Sequence, residues 1–234
     1  MTPISISSGK WTKHLILSED EILIKHLPQT NLLVRESIWE YLDRFGAVVI
    51  KPSQGLKGYG AVKVSRLDLD QYEIHREKTR IQTDRYGLLQ LLDKEKYQRK
   101  MYIVQERIPL ARVEGKPFDS RIMVEREQKK DEWKITGRLA KVAEKGYFIT
   151  NVASDILPLH EAISRSNLRN QEHAPLTLIE KIDNLAIHSA HQLAEYYTSS
   201  NTIGLDIGIT KSGKIYIIEA NLKPSRAMFK RLKE

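Results

Sequence analysis

Residues 49–60 of the chain read VIKPSQGLKGYG. An apolar, strand-like run ends at Lys51 and is followed by three glycines, Gly55, Gly58 and Gly60. The alternating residues 61–64 predict a second strand, so the glycines would form the loop of a hairpin. Glycine lets the backbone approach a ligand closely, and backbone N–H groups beside a fixed lysine can bind phosphates. The stretch therefore predicts either a phosphate-binding hairpin or an ordinary flexible hairpin with a surface lysine.

Composition limits the class of protein. The 234 residues are 41% hydrophobic and 29% charged, which is typical of a globular chain, and none is cysteine. The absence of cysteine excludes disulfides and thiolate metal sites. There is no apolar run long enough for a membrane span and no signal peptide, so we expect a cytoplasmic protein without a membrane partner. The net charge of +8 suits anionic partners, although dispersed cations can equally form a solvated face.

Helix and strand patterns alternate along the chain, which predicts an α+β architecture. Helix patterns cover residues 36–44, 85–96 and 177–197, with further helix starts predicted at Ser18 and Pro224. Strand patterns cover residues 47–50, 61–64, 72–76, 101–104, 121–126, 132–142, 203–209 and 214–218. No segment has the composition of a linker, so we expect two interlocked lobes, 1–104 and 105–234.

A second group of residues has the chemistry of a metal site. Glu219 and Asn221 are two apart on a predicted strand, so their side chains share a face. The preceding strand carries Asp206, and a hairpin turn at residues 211–213 would bring Asp206 opposite Glu219. Two carboxylates and an amide oxygen suit Mg²⁺ or Mn²⁺, with phosphates and water completing the shell. The alternative is a solvated strand edge, which the apolar flanking residues disfavour.

Two cations and one strand end complete the candidate residues. Arg121 follows Asp119 by two positions, so the acid could orient a guanidinium suited to phosphate oxygens. Lys141 lies in the middle of another predicted strand. Both residues could equally be plain surface cations. The apolar strand that ends at residues 105–108 could offer backbone N–H and C=O groups to a nucleotide base.

In their order along the chain, these motifs resemble the ATP-grasp fold of glutathione-synthetase-like carboxylate–amine ligases. The branch they resemble is the YheC/YheD-type family, described as endospore coat-associated. The segments that carry the resemblance are SGKWTKHLILSEDEILIKHLPQT, VIKPSQGLKGYG, YIVQERI, FDSRIMV and IIEANLKPS, so it extends over almost the whole chain. The resemblance implies two α+β lobes whose antiparallel sheets grip ATP between them.

The resemblance also implies roles for matching residues. Lys10 and Lys51 would hold the α- and β-phosphates. The glycines of the opening stretch would close over ATP. The residues beside the adenine would be Gln105, Glu106, Arg107 and Ile108. Near the γ-phosphate and a developing acyl phosphate would lie Arg121, Lys141 and Asn151. The residues that would hold Mg²⁺ or Mn²⁺ are Asp206, Glu219 and Asn221.

The function implied is an ATP- and Mg²⁺-dependent ligase that activates a carboxylate as an acyl phosphate for attack by an amine. The alternative is a spore-coat-associated structural protein that binds the nucleotide without ligase activity. Relatives carry a Gly-Gly pair after the asparagine, whereas here residues 151–155 read NVASD. They also carry an N-terminal domain, so we expect a minimal enzyme, or one that uses a protein partner or a second copy. A nucleic-acid partner is disfavoured by the 7% aromatic content and by the lack of a recognised motif.

Overall fold

The computed structural model describes residues 6–55, 58–93, 101–127, 132–169 and 175–232. Two antiparallel sheets with helices packed against them account for most of these residues, which confirms the predicted α+β class. No helix within the described ranges is both long and apolar enough to span a bilayer.

The first sheet contains the glycine hairpin. Its strands run in the order β1-β6-β2-β3-β4-β5, and every neighbouring pair is antiparallel. The bounds are β1 (Thr30–Leu32), β2 (Ala47–Pro52), β3 (Val62–Asp68), β4 (Gln71–Arg76), β5 (Thr79–Thr83) and β6 (Tyr102–Glu106). The hairpin of β2 and β3 therefore lies in the middle of the sheet, beside the strand that ends at Glu106.

The second sheet contains the predicted carboxylates. Its strand order is β10-β9-β8-β11-β12, with the short β7 paired to β8. The bounds are β7 (Arg112–Val113), β8 (Lys116–Glu127), β9 (Glu132–Ala143), β10 (Ala153–Leu157), β11 (Thr202–Ile209) and β12 (Ile215–Asn221). β8 and β12 flank β11, so β11 is held by hydrogen bonds on both sides.

Each sheet has its own apolar core. Helices α2 (Arg35–Phe45) and α3 (Arg85–Leu92) pack on the first sheet. Helices α1 (Lys10–Ser18), α4 (Leu159–Ser164) and α5 (Pro175–Tyr196) contribute to the core of the second sheet. α1 thus buries Ile16 and Leu17 with the second sheet, although it precedes the first sheet in the chain. The predicted division at residue 104 stays a prediction; the core of the first sheet ends at Val104, and the core of the second sheet begins again at Ala111 but also includes the N-terminal residues 16–27.

Glycine ends one predicted helix as expected. The helix over residues 36–44 is observed as α2, and Gly46 follows it with a φ of 68° in the left-handed region. The Gly46 N–H donates to the Leu42 carbonyl over 2.9 Å. Glycine is favoured at this position because a left-handed backbone is strained for residues that have a Cβ.

Two predicted helix starts were wrong. Ser18 ends α1, and its hydroxyl donates back to the Leu15 carbonyl. Asp20 instead accepts from the Ile22 and Leu23 amides and caps a short 3₁₀ turn, Leu23–His26. The last helix, α6 (Ala227–Lys230), begins after Pro224. The end of the predicted helix 85–96 and the basic run at 94–100 lie outside the described residues.

Candidate functional site

A cleft between the two sheets brings most of the predicted site residues together. It has about 850 Å³ of space, part of it open to solvent. Predicted residues that line it are Lys10, Lys51, Gly55, Gly58, Gln105, Glu106, Arg107, Ile108, Asn151, Asp206 and Glu219. The remaining four, Gly60, Arg121, Lys141 and Asn221, do not line it.

Two lysines approach the cleft from different elements. Lys10 is the first residue of α1, and its Nζ lies 2.9 Å from the Gly55 carbonyl and 3.4 Å from Glu219. Lys51 lies near the end of β2 and donates to Gln105 Oε1 over 2.7 Å. Burial lowers the pKa of Lys51 to about 8, the nearby Lys10 adds to the effect, and Glu219 opposes it. A buried ammonium with a neutral partner is suited to receive an anion.

The glycine loop reaches across to the second sheet. Gly58 has a φ of 72°, and a Cβ at this position would lie 2.6 Å from Nδ2 of Asn151. Gly60 has a φ of 81° and lies against Pro52 and the Tyr102 hydroxyl. Both positions require left-handed backbone, and Gly58 also requires the missing side chain. The loop and Asn151 therefore form one wall of the cleft.

The end of β6 is held firmly in place. The Gln105 side chain donates to the Thr30 hydroxyl over 2.8 Å, in addition to accepting from Lys51. The amides of Glu106 and Arg107 donate to the carbonyls of Gln29 and Ala47. These two amides are therefore not free for a ligand. The Ile108 amide has no hydrogen-bond partner among the described residues, and Ile108 lines the cleft.

The predicted hairpin of acidic residues is present. Asp206 on β11 lies directly opposite Glu219 on β12, and Asn221 lies opposite Gly204. Glu219 and Asn221 are two apart on one strand, as predicted. Asp206 is almost completely buried, at 3% exposure. The two carboxylates therefore meet at the floor of the cleft.

A buried ion cluster lies beneath the cleft. Arg121 forms a fork with Asp206, with Nε 2.6 Å from Oδ1 and Nη2 3.0 Å from Oδ2. The Lys141 ammonium lies 2.9 Å from Asp206 and 3.2 Å from Asp119, in ion pairs without good hydrogen-bond angles. Thr150 donates to Asp119 over 2.5 Å. Asp206, rather than Asp119, therefore orients Arg121.

The charges in this cluster shift its pKa values. Burial alone would raise the pKa of Asp206, but Lys141 and Arg121 lower it to about 2. Burial raises the pKa of Asp119 to about 6, with Lys141 opposing. Burial acts to lower the pKa of Lys141, but the two carboxylates raise it above the ordinary value. The Lys141 side chain has no exposed surface and lies against Asp119 and Asp206, so it does not contact the open cleft directly.

Sequence reasoning missed two residues behind the cleft. Lys13 is 7% exposed, and its ammonium donates to the Ala220 carbonyl, between Glu219 and Asn221. Burial lowers the pKa of Lys13 to about 8 and that of His14 to about 4. The three-residue spacing from Lys10 to Lys13 places both lysines on one face of α1, which was the signal available in the sequence.

The donor set fits a hard divalent cation. Asp206 and Glu219 supply carboxylate oxygens on paired strands, and Asn221 adds an amide oxygen on the strand of Glu219. No cluster of three His, Cys, Asp or Glu residues occurs in the described ranges, so two carboxylates would need an amide, water or phosphate to complete the shell. Arg121 and Lys141 already pair with Asp206, whereas the only ion pair of Glu219 within the described part of the chain is the longer contact to Lys10.

Comparison with known proteins identifies relatives along the whole chain. A family model described as YheC/D like ATP-grasp matches residues 5–234. The endospore coat-associated protein YheD of Bacillus subtilis (strain 168) is 26% identical over 229 residues, which cover 94% of this chain and 49% of YheD. YheC of the same organism is 24% identical over 223 residues, covering 93% of this chain and 60% of YheC. The chain thus spans about half to three-fifths of the length of these relatives.

Solved structures agree on the fold. An ADP complex of N5-carboxyaminoimidazole ribonucleotide synthetase has a TM-score of 0.57 at 15% identity, covering 95% of this chain and 46% of that one. D-alanine–D-alanine ligase from Bacillus anthracis, complexed with ATP, has a TM-score of 0.56 at 14% identity and covers 95% and 56%. At these identities the likeness concerns the fold alone. The family model, which matches residues 5–234, shows that the chain belongs to the YheC/D-like ATP-grasp family.

Proposed function

We propose that the chain binds ATP with Mg²⁺ in the cleft between its sheets and uses it to join a carboxylate to an amine. The observation that carries this proposal is the meeting of Lys10 and Lys51 with Asp206 and Glu219 around one cleft. Cations on one side and a pair of carboxylates on the other suit a triphosphate with its divalent ion.

The nucleotide contacts follow from the cleft walls. Lys51 and Lys10 would bind the phosphates, and the loop of Gly55, Gly58 and Gly60 would close over them. The free amide of Ile108 would donate to the adenine, with Gln105, Glu106 and Arg107 beside it. On binding a phosphate, Lys51 would exchange a neutral partner, Gln105, for a charged one.

Asp206, Glu219 and Asn221 would hold the metal ion. When bound, the ion compensates the negative charge of the triphosphate. Lys10 would leave Glu219, which it contacts at 3.4 Å, and turn to a phosphate. Asp206 keeps its negative charge because Lys141 and Arg121 hold its pKa at about 2. These two cations would thus support the site from beneath it.

The reaction has two steps. A substrate carboxylate oxygen attacks the γ-phosphorus and the bond to ADP breaks, which gives an acyl phosphate and ADP. The amine then attacks the acyl carbon, phosphate leaves, and the amine proton passes to solvent. Charge compensation and positioning carry both steps, so no side-chain nucleophile is required. Asn151, which lines the cleft, is proposed to stabilise the transferred phosphoryl group, and Arg121 to act on it through Asp206.

ADP release tests catalysis. The purified chain with Mg²⁺ and ATP is mixed with pools of amino acids, peptides and cell-wall fragments. We expect at least one pool to increase ADP release, and Glu219→Gln, which keeps the size but removes the charge, to abolish the increase. If no pool stimulates ADP release while ATP still binds, the alternative holds: a nucleotide-binding, spore-coat-associated structural protein.

A further inference from the structure

A second groove adjoins the nucleotide cleft and contains an excess of cations. It shares Arg107 and Phe148 with the cleft. The basic residues that line it are Lys63, Arg80, Arg107, Arg112, Lys116 and Lys145, whereas its acidic residues are Glu114 and Glu144. Lys63 and Arg80 belong to the first sheet, and Lys116 to the second, so the groove lies across the junction of the sheets.

Part of this charge is neutralised locally. Glu73 pairs with Lys63 at 3.2 Å and with Arg80 at 3.5 Å. Lys116 pairs with Asp155 at 3.0 Å. Of the two acids in the groove, Glu114 already pairs with Arg165. The local acids therefore offset only part of the positive charge.

Three cations of the groove remain without a carboxylate partner in the described ranges: Arg107, Arg112 and Lys145. Arg107 is the most buried of them, and the charged group that acts on it is another cation, Arg112. Burial, with a smaller effect of Arg112, lowers the pKa of Arg107. A guanidinium that is partly buried beside a like charge is stabilised by any anion that enters.

The Tyr147 and Phe148 rings of the groove each have another side chain beside them. The Lys78 ammonium lies 5.6 Å from the centre of the Tyr147 ring. The Phe148 ring packs against His75, with 5.1 Å between ring centres. Binding of single-stranded nucleic acid relies on aromatic faces that are free to stack with bases. These neighbours reduce the stacking surface that the groove offers, whereas its unpaired cations remain, which favours a carboxylate-rich ligand over a nucleic acid.

We propose that this groove binds an acidic peptide chain, and that the substrate of the reaction proposed above is a chain with several carboxylates rather than a free amino acid. Arg107, Arg112 and Lys145 would contact carboxylates that do not react. Because Arg107 and Phe148 line both the groove and the cleft, a chain held in the groove would lie beside the nucleotide. That the peptide is a substrate rests on the proposed function, whereas the binding of the peptide to the groove does not depend on it.

Fluorescence anisotropy with a labelled oligoglutamate peptide tests the groove without ATP. The groove variant carries Arg112→Glu and Lys145→Glu, two exposed residues outside the proposed ATP contacts. The control variant carries Lys25→Glu and Lys181→Glu, two exposed residues elsewhere with the same change in net charge. We expect the groove variant to bind the peptide at least about tenfold more weakly. The control variant should bind like the original protein, and oligoglutamine should not bind.

Other outcomes would overturn the proposal. An equal loss in both variants would mean that net charge alone attracts the peptide. Tighter binding of a single-stranded oligonucleotide of equal charge, also lost in the groove variant, would identify a nucleic-acid site. ATP titration of the same variants separates this question from the proposed function, because the groove variant should keep its ATP affinity. If the charge reversals unfold the protein, Arg112→Ala with Lys145→Ala provides the same comparison.

Discussion

Asp206 and Glu219 lie directly opposite each other on neighbouring strands, but different groups balance their charges. Asp206 is buried against Arg121 and Lys141, whereas Glu219 has one contact of 3.4 Å with Lys10. The first carboxylate is therefore fixed by the protein, and the second can change its partner. This difference suits the proposed metal–nucleotide site, since Lys10 could leave Glu219 for a phosphate while Asp206 keeps its partners.

The fixed carboxylate should contribute strongly to stability. Asp206→Asn would leave Lys141 completely buried with Asp119 as its remaining acid, and breaking a buried ion pair costs about 3–5 kcal/mol. Denaturant unfolding measures the change. Asp183→Asn, which breaks the more exposed pair with Arg138, is the control and should cost at most about 1 kcal/mol. If both variants lost the same free energy of unfolding, the buried cluster would not be the main source of the stability assigned to Asp206.

The stability of the original protein and that of Asp206→Asn should depend differently on pH in the acidic range. The pKa of Asp206 in the folded state is about 2, below the ordinary 3.8. Its stabilising effect is therefore fully present above the unfolded-state pKa and is lost as pH falls toward the folded-state value. We expect the stability gap between the original protein and Asp206→Asn to be constant near neutral pH and to narrow between pH 4 and pH 2. A gap that widens on acidification would have the wrong sign.

Lys51 should make ATP binding depend on pH. Its pKa in the free protein is about 8, and only the charged form binds phosphate well. Affinity should be constant below this pKa and should fall as pH rises above it. Lys51→Arg stays charged over this range, so its affinity should not fall in the same way. Parallel pH profiles for the two proteins would exclude Lys51 as the titrating group.

Gly58 should matter more for the closure of the glycine loop over ATP than for the stability of the fold. A Cβ at Gly58 would collide with Asn151, and left-handed backbone costs other residues about 1–2 kcal/mol. Gly58→Ala should therefore weaken ATP binding by roughly tenfold. Gly46→Ala is the matched control: its φ is similarly positive, but no atom lies within 4 Å of the added carbon. It should lower the melting temperature and leave ATP affinity unchanged.

Lys13 should affect Mg²⁺ binding through β12, the strand that carries Glu219 and Asn221. Its ammonium donates to the Ala220 carbonyl, so Lys13→Met leaves a buried acceptor unpaired at a cost of about 1–3 kcal/mol. Because Ala220 lies between Glu219 and Asn221, we expect the Mg²⁺ concentration needed for half-maximal ATP binding to rise. Lys25→Met, at an exposed position, should change neither quantity. A loss of stability with no change in the Mg²⁺ requirement would limit Lys13 to folding.

The sequence predicted the parts of the site that depend on local spacing. Glu219 and Asn221 share a face because strand side chains alternate, and a short hairpin was enough to align Asp206 with Glu219. The partners of Arg121 could not be read in this way. Asp119 is close in sequence, but Asp206 comes from the neighbouring strand and forms the fork instead. Partners across a sheet depend on register, which residue spacing within one strand does not specify.

Helix α1 shows the same limit. No helix was predicted over Lys10–Ser18, and nothing local indicated that Ile16 and Leu17 would pack with the second sheet. The burial of Lys13 follows from that packing, so it was equally hidden. At Ser18 the local capping signal was wrong because Asp20, two residues later, accepts the amide hydrogen bonds instead. At Pro224 the helix begins three residues later, at Ala227, without a side-chain cap.

Calorimetric titration of ATP, with and without Mg²⁺, is the most direct test of the central claim. It compares the original protein with Lys51→Ala, Glu219→Ala and the exposed-site control Lys25→Ala. We expect tight binding only with Mg²⁺, losses of at least about tenfold in the first two variants, and no loss in the control. Equal affinity in all four proteins, or binding that ignores Mg²⁺, would contradict a nucleotide site between these lysines and carboxylates.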